Sequence, residues 1–146
     1  MAVQPTAAKP LQGITVLDLT AVLSGPLATM LLADQGADVI KVERPGACDM
    51  TRMIGTRRNG VSAMFQLANR GKRSIVVDLA RPEGVAVIKR IVALADVVTE
   101  NFRPGVAERL GLGYDALASL RPALIYLSIA GFGFEGNLQS SVARVG

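Results

Sequence analysis

Four short segments combine glycine with arginine, serine or asparagine, residue types suited to binding anions, and a fifth segment is rich in glycine. They read TAVLSG, RPGACD, ARPEG, NFRPG and AGFGFEG, and each follows a short apolar run. Their candidate binding residues are Ser24, Arg44, Arg81, Asn101 and Arg103. Arginine binds phosphate through a planar group with several donors, and the N–H groups at a helix start, expected here near Gly25, also attract phosphate. These segments predict a site for a phosphorylated ligand, provided that the fold brings them together.

The apolar runs have the length and β-branched composition of buried strands, and helical patterns separate them. Strands are predicted over residues 14–19, 37–43, 74–79, 96–100 and 123–129. Helices are predicted over residues 24–36, capped by Ser24, and over residues 81–95, opened by Pro82. This alternation predicts an α/β fold, a parallel sheet with helices on both faces. Such sheets bind ligands beyond the carboxyl ends of their strands, which is where all five segments would gather.

Most of the basic charge lies in one part of the chain. The formal net charge is +4, and residues 41–73 contain eight basic side chains against the acids Glu43 and Asp49. The basic residues are Lys41, Arg44, Arg52, Arg57, Arg58, Arg70, Lys72 and Arg73. Charge alone leaves two interpretations open, a surface for an anionic partner or a solvated basic loop.

Composition argues against several classes of protein. The chain has no histidine and a single cysteine, Cys48, so histidine chemistry and an internal disulfide are excluded within it and no metal site is expected. No apolar run is long enough to predict a membrane span. Residues 1–10 lack the apolar core of a secretory signal and are expected to form a flexible arm, which favours a cytoplasmic protein.

Common nucleotide motifs are incomplete or missing. The turn after the first strand has one glycine, Gly25, where the dinucleotide fingerprint needs three, although Glu43 stands where a ribose-binding acid would lie. Neither a phosphate-binding P-loop nor a serine nucleophile elbow occurs. The six aromatic residues do not alternate with basic ones, which disfavours nucleic acid. Single aspartates are expected to be structural: Asp18, Asp34, Asp38, Asp78 and Asp96.

Four ordered blocks of the sequence resemble a known enzyme family. They are LQGITVLDLTAVLSGPLATMLLADQGADVIKVERPG, LANRGKRSIVVDLARPEG, ADVVTENFRPGVAERLGLGYDAL and PALIYLSIAGFG. Together they resemble the N-terminal part of the family III coenzyme A transferases, which include formyl-CoA and carnitine CoA transferases and the related 2-methylacyl-CoA racemases. The resemblance implies that residues 11–146 form the N-terminal part of a Rossmann-like CoA-binding domain. It also implies a homodimer of two interlocked chains.

The resemblance assigns residues in or beside the first three predicted strand ends to CoA or acyl-CoA, bound as substrate without a metal. Val22, Leu23 and Ser24 would line the pantetheine and the diphosphate. Arg44 would lie by the adenine and the ribose phosphate, and Val77 would border the nucleotide.

Later residues complete the implied site. Asn101 and Phe102 would hold the pantetheine arm, and Arg109 would meet a phosphate. Lys72 is a further candidate for the CoA site, and a structural ion pair is an equal alternative for both Lys72 and Arg73.

In the transferases that the sequence resembles, an aspartate shortly after the segment matching GFGFEG attacks the acyl-CoA thioester. The reaction then passes through a mixed anhydride and an enzyme-bound CoA thioester. These intermediates divide the exchange of CoA between an acyl-CoA and a carboxylic acid into easier steps. No aspartate follows Asp115 here, so the catalytic residue is expected beyond Gly146. The chain is therefore expected to be an incomplete family fold that is inactive alone.

The sequence leaves two other functions open. A racemase of the same family would use a histidine and an aspartate to exchange the α-proton of an acyl-CoA. A module without catalysis would bind CoA or another nucleotide. A nicotinamide-dependent oxidoreductase is disfavoured because the fingerprint glycines are missing.

Overall fold

The structure, a computed structural model, describes residues 8–46 and 48–133. Residues 1–7 of the arm predicted over residues 1–10, and the end of the GFGFEG loop, lie outside the described residues. The described residues contain seven strands, in chain order: β1 (Thr15–Asp18), β2 (Asp38–Glu43), β3 (Arg57–Arg58), β4 (Val61–Ser62), β5 (Arg73–Val76), β6 (Val97–Glu100) and β7 (Ile125–Ser128). Five of them form one parallel sheet in the order β5-β2-β1-β6-β7, and β3 pairs with β4 in a separate antiparallel hairpin.

The five α-helices described are α1 (Ser24–Asp34), α2 (Ala63–Asn69), α3 (Pro82–Val92), α4 (Val106–Arg109) and α5 (Tyr114–Ala118). One turn of 3-10 helix, Met50–Arg52, follows β2. The chain moves outward from β1 through β2 to β5, then crosses back to β6 on the other side of β1. This reversal between β1 and β6 is the point at which open α/β sheets form a ligand crevice.

The core lies on both faces of the sheet. Successive side chains of a strand point to opposite faces, so Val16 packs with Ala33 of α1 on one face and Leu17 packs with Ile88 and Val92 of α3 on the other. Val16, Leu17, Ile88 and Val92 are all fully buried. The predicted α/β sheet with helices on both faces is therefore confirmed.

The structure adds elements where the sequence predicted none and corrects one predicted helix cap. Residues 44–72 contain the β3–β4 hairpin and α2. The start of α2 is capped by the Ser62 hydroxyl, which accepts the Phe65 N–H at 3.3 Å. Ser24 does not cap α1. It is the first helical residue, Leu23 occupies the capping position, and no side-chain capping bond is made.

Glycine is required where α1 meets the loop after β1. A Cβ on Gly25 would lie 2.4 Å from the Cβ of Thr20, far inside van der Waals contact. The absence of a side chain therefore lets the start of α1 lie against this loop.

Candidate functional site

A cavity of about 250 Å³ opens at the carboxyl ends of the strands, beside the reversal between β1 and β6. The loops after β1, β2, β5 and β6 all contribute to it, and these are four of the five segments predicted to gather at this edge. The lining residues are Leu19, Thr20, Ala21, Val22, Lys41, Val42, Glu43, Arg44, Cys48, Asp49, Met50, Val77, Leu79 and Phe102. The sheet thus brings four chain-distant loops to one concave surface.

Four of the nine residues assigned to CoA line this cavity: Val22, Arg44, Val77 and Phe102. Arg44 is exposed, while the other three are partly buried. Leu23 and Ser24 follow Val22 directly, at the start of α1, but do not line the cavity. The surface therefore combines apolar walls with one accessible cation.

Asn101 bonds the loop after β1. Its Oδ1 accepts the Ala21 N–H at 2.9 Å, and its Nδ2 donates to the Ala21 carbonyl at 2.8 Å. Asn101 follows β6, so this pair of bonds joins the two strand ends on either side of the reversal.

Arg109 does not line this cavity but a second one, of about 450 Å³. Arg81 and Lys89 line the same cavity, and Leu79 lines both cavities. The second cavity is therefore a cationic neighbour of the first, with Leu79 between them.

The loop after β1 contains an unusual backbone conformation. Val22 has a φ of +72°, in the left-handed region that β-branched residues strongly disfavour. Such strain persists only where surrounding contacts hold it, and it is frequent at ligand sites.

A family model for CoA-transferase family III matches residues 11–144. The chain belongs to CoA-transferase family III. The predicted family resemblance is thereby confirmed.

Curated relatives of this CoA-transferase family III chain include CoA-transferases named for different carboxylic acids. The human succinyl-CoA:glutarate CoA-transferase is 50% identical over 129 residues, which are 88% of this chain and 30% of the relative. The acetyl-CoA:oxalate CoA-transferase of Acetobacter aceti is 48% identical over 88% of this chain and 33% of the relative. The chain thus spans about a third of the length of these relatives.

A solved structure agrees with the fold of the family III chain. The crystal structure of a CAIB/BAIF family protein from Brucella suis has a TM-score of 0.87 and 44% sequence identity. The match covers 92% of this chain and 37% of the Brucella protein.

In this family III chain Lys72 lies in the interior, with 1% of its side chain exposed. Its Nζ lies 2.8 Å from Asp18 Oδ2 and donates to Thr29 Oγ1 at 2.7 Å and Asn69 Oδ1 at 2.9 Å. Burial lowers the pKa of Lys72, and the Asp18 carboxylate opposes that shift. These contacts correspond to the structural ion pair, the alternative that the sequence left open for Lys72.

Most of the basic segment is already neutralised within the protein. Five of its eight cations form ion pairs: Lys41–Asp49, Arg52–Glu43, Arg70–Asp34, Lys72–Asp18 and Arg73–Asp38. Among the described residues, Arg44, Arg57 and Arg58 have no acidic partner within 4.0 Å. The clustering in sequence therefore suggested more unpaired cations than the structure has, because three of the five acidic partners lie outside residues 41–73.

The two carboxylates in the cavity wall, Glu43 and Asp49, both form ion pairs within the protein. Burial raises the pKa of Glu43, but hydrogen bonds from Arg52 and Ser74 outweigh this effect and hold that pKa at about 2. Arg52 donates to both oxygens of Glu43 at 2.7 Å, so the acid is not free to bind a ribose. Burial also raises the pKa of Asp49, and the Lys41 ion pair together with hydrogen bonds from Thr51 more than reverses the shift.

Sequence reasoning missed Lys41 and Asp49 as a buried pair, each with 1% of its side chain exposed and 2.8 Å apart. The available signal was a charged residue within the apolar run of β2, where Lys41 stands between Ile40 and Val42. Within residues 8–46 and 48–133, no group of three or more metal-binding side chains occurs. No helix in this part of the chain is long and apolar enough to cross a membrane.

Proposed function

We propose that the chain is the CoA-binding N-terminal part of an acyl-CoA:carboxylate CoA-transferase. The full-length protein would exchange CoA between an acyl-CoA and a carboxylic acid through an aspartyl intermediate. The observation that carries this proposal is the cavity at the carboxyl edge of the sheet, where Val22, Arg44, Val77 and Phe102 meet from four loops.

The surfaces suit the parts of CoA. Phe102 and Val22 offer apolar contact to the pantetheine, and Val77 offers it to the nucleotide. Arg44 lies in the same cavity, and Arg109 lies with Arg81 in the adjoining one, so phosphates bound along this edge would meet cations in both places.

The catalytic carboxylate is proposed to come from a later part of the full-length protein. Glu43 and Asp49 are the acids of the cavity wall, and Arg52 and Lys41 already bind them. An ion-paired carboxylate is a poor nucleophile because its charge is already neutralised. The 146-residue chain is accordingly proposed to bind CoA without turning it over. A cytoplasmic location, an interlocked homodimer and catalysis without a metal belong to the same proposal.

Calorimetric titration of the chain with CoA tests the proposal. We expect saturable binding that Arg44→Ala weakens about tenfold, since one charge-assisted contact to phosphate is worth on the order of 1.5 kcal/mol. Arg58→Ala is the matched control, because Arg58 is an exposed arginine of the same segment and lines neither cavity.

Two results would contradict the proposed site. One is a folded chain, verified by circular dichroism, that shows no saturable CoA binding. The other is an equal loss of affinity in Arg44→Ala and Arg58→Ala, which would indicate only a general charge effect.

A further inference from the structure

Side chains bind every backbone polar group of the two residues before Val22. The Thr20 N–H donates to Asp18 Oδ1 at 2.9 Å, and Lys41 Nζ donates to the Thr20 carbonyl at 2.9 Å. The Ala21 N–H and carbonyl both bond the amide of Asn101. Two consecutive residues are thus held by three side chains.

These side chains come from three separate parts of the fold. Asp18 ends β1, Lys41 belongs to β2, and Asn101 follows β6. Most backbone groups in proteins bond other backbone groups, so complete satisfaction by side chains is an uncommon arrangement. Because the three strands are neighbours in the sheet, this arrangement ties the loop to the rigid core.

Val22, the next residue, has a backbone conformation that needs the support of these hydrogen bonds. Val22 has a φ of +72° and lines the cavity. A valine in this conformation relaxes to negative φ unless its neighbours are held in place. Relaxation would change the direction of the Val22 side chain and the shape of the cavity wall.

We infer that Asp18, Lys41 and Asn101 are positioning residues for CoA binding, which hold Thr20 and Ala21 so that Val22 keeps its left-handed conformation in the cavity wall. This inference rests on the proposed function and deepens it. It gives the Asn101 side chain a role different from direct contact with the pantetheine, since both ends of its amide bond Ala21.

Asn101 offers the cleanest test of the three. Asp18 and Lys41 also form buried ion pairs with Lys72 and Asp49, so substituting either one would disturb the core. Asn101 is only partly buried, and its two side-chain hydrogen bonds both go to Ala21.

The experiment is a double-variant cycle with Asn101→Ala and Val22→Gly, read by CoA titration. Glycine adopts positive φ without strain, so the loop of the Val22→Gly variant depends less on Asn101. We expect Asn101→Ala to weaken CoA binding about tenfold in the native background and less than about threefold in the Val22→Gly background. Ser119→Ala, which removes a hydrogen bond of α5 remote from the cavity, should leave the affinity unchanged.

Amide exchange followed by NMR provides a readout independent of CoA. The Ala21 N–H should exchange about tenfold faster in Asn101→Ala, while the Leu17 N–H in the core should be unaffected. Unchanged exchange at Ala21 would overturn the inference.

The two proposals fail in different ways. If the unsubstituted chain is folded but binds no CoA, the proposed function fails, and the positioning role in CoA binding fails with it. If the unsubstituted chain binds CoA and Asn101→Ala has no effect, or has the same effect in both backgrounds, only the positioning inference is overturned.

Discussion

Lys72 and Arg44 belong to the same basic segment, yet their surroundings are opposite. Lys72 has 1% of its side chain exposed and contacts Asp18 at 2.8 Å, whereas Arg44 is exposed at the cavity mouth. Arg109 resembles Arg44 in being an exposed cation in a cavity wall. One group of cations thus faces acids of the protein, and the other faces open space at the sheet edge.

The difference separates residues that hold the fold from residues available to a ligand. Removing one partner of a buried ion pair leaves an uncompensated charge in the interior, so such a cation cannot be given up to a ligand without a large cost. An exposed cation contributes little to folding and keeps its donors for an anion. Substitutions in the two groups should therefore affect different measurements.

The largest effect is expected for Lys72→Met. This substitution leaves the fully buried Asp18 without its cation, and the free energy of unfolding should fall by about 3–5 kcal/mol. Urea denaturation followed by circular dichroism measures the change. The double variant Asp18→Asn/Lys72→Met should recover part of the loss, and a Lys72→Met chain as stable as the native one would remove the distinction between the two groups.

The next largest effect is expected from acid, which should weaken the Arg52–Glu43 ion pair. The pKa of Glu43 lies at about 2, below its ordinary value of 4.5, so its stabilising contribution is complete above about pH 4.5 and is lost as the pH falls toward 2. The expected loss is on the order of 3 kcal/mol. Glu43→Gln cannot titrate, so its urea midpoint should depend less on pH in this range than that of the native chain. Equal pH dependence would contradict the role of the Arg52–Glu43 pair.

Salt should mainly affect the exposed cations, Arg44 and Arg109, and therefore the affinity for CoA. CoA affinity should fall several-fold between about 50 and 300 mM NaCl, because contacts of Arg44 and Arg109 with phosphate are screened. The urea midpoint should change little over the same range, since the pairs formed by Lys41 and Lys72 are buried. At matched salt concentrations, calorimetry measures the CoA affinity and urea denaturation measures the midpoint. A parallel decline of the two would contradict the distinction between exposed and paired cations.

The smallest effect is expected for Arg73→Met, the neighbour of Lys72. Its ion pair with Asp38 is exposed, at 65% and 51% of the two side chains, so the loss of stability should stay below about 1 kcal/mol. The same urea experiment measures it. A loss equal to that of Lys72→Met would show that burial does not decide the strength of these pairs.

Much of the architecture could be predicted because it depends on local patterns. The β-branched runs around Val16 and Val98 gave the strands, and the parallel order placed Val22 and Phe102 at one edge. Prediction failed where the pattern was short or mixed. The β3–β4 hairpin has two residues in each strand, too few for a visible alternation, and basic residues occupy one of them.

The sequence by itself determined the class of fold, the family and the loops that line the cavity, since these follow from hydrophobic periodicity and from ordered motifs. The tertiary structure alone decided which charged residues pair and which stay open to a ligand. Lys72 meets an aspartate 54 residues away, and Asn101 bonds a backbone 80 residues away. Such contacts depend on strand order and burial, and the identity of a lysine or an asparagine carries no information about the partner that the fold brings to it.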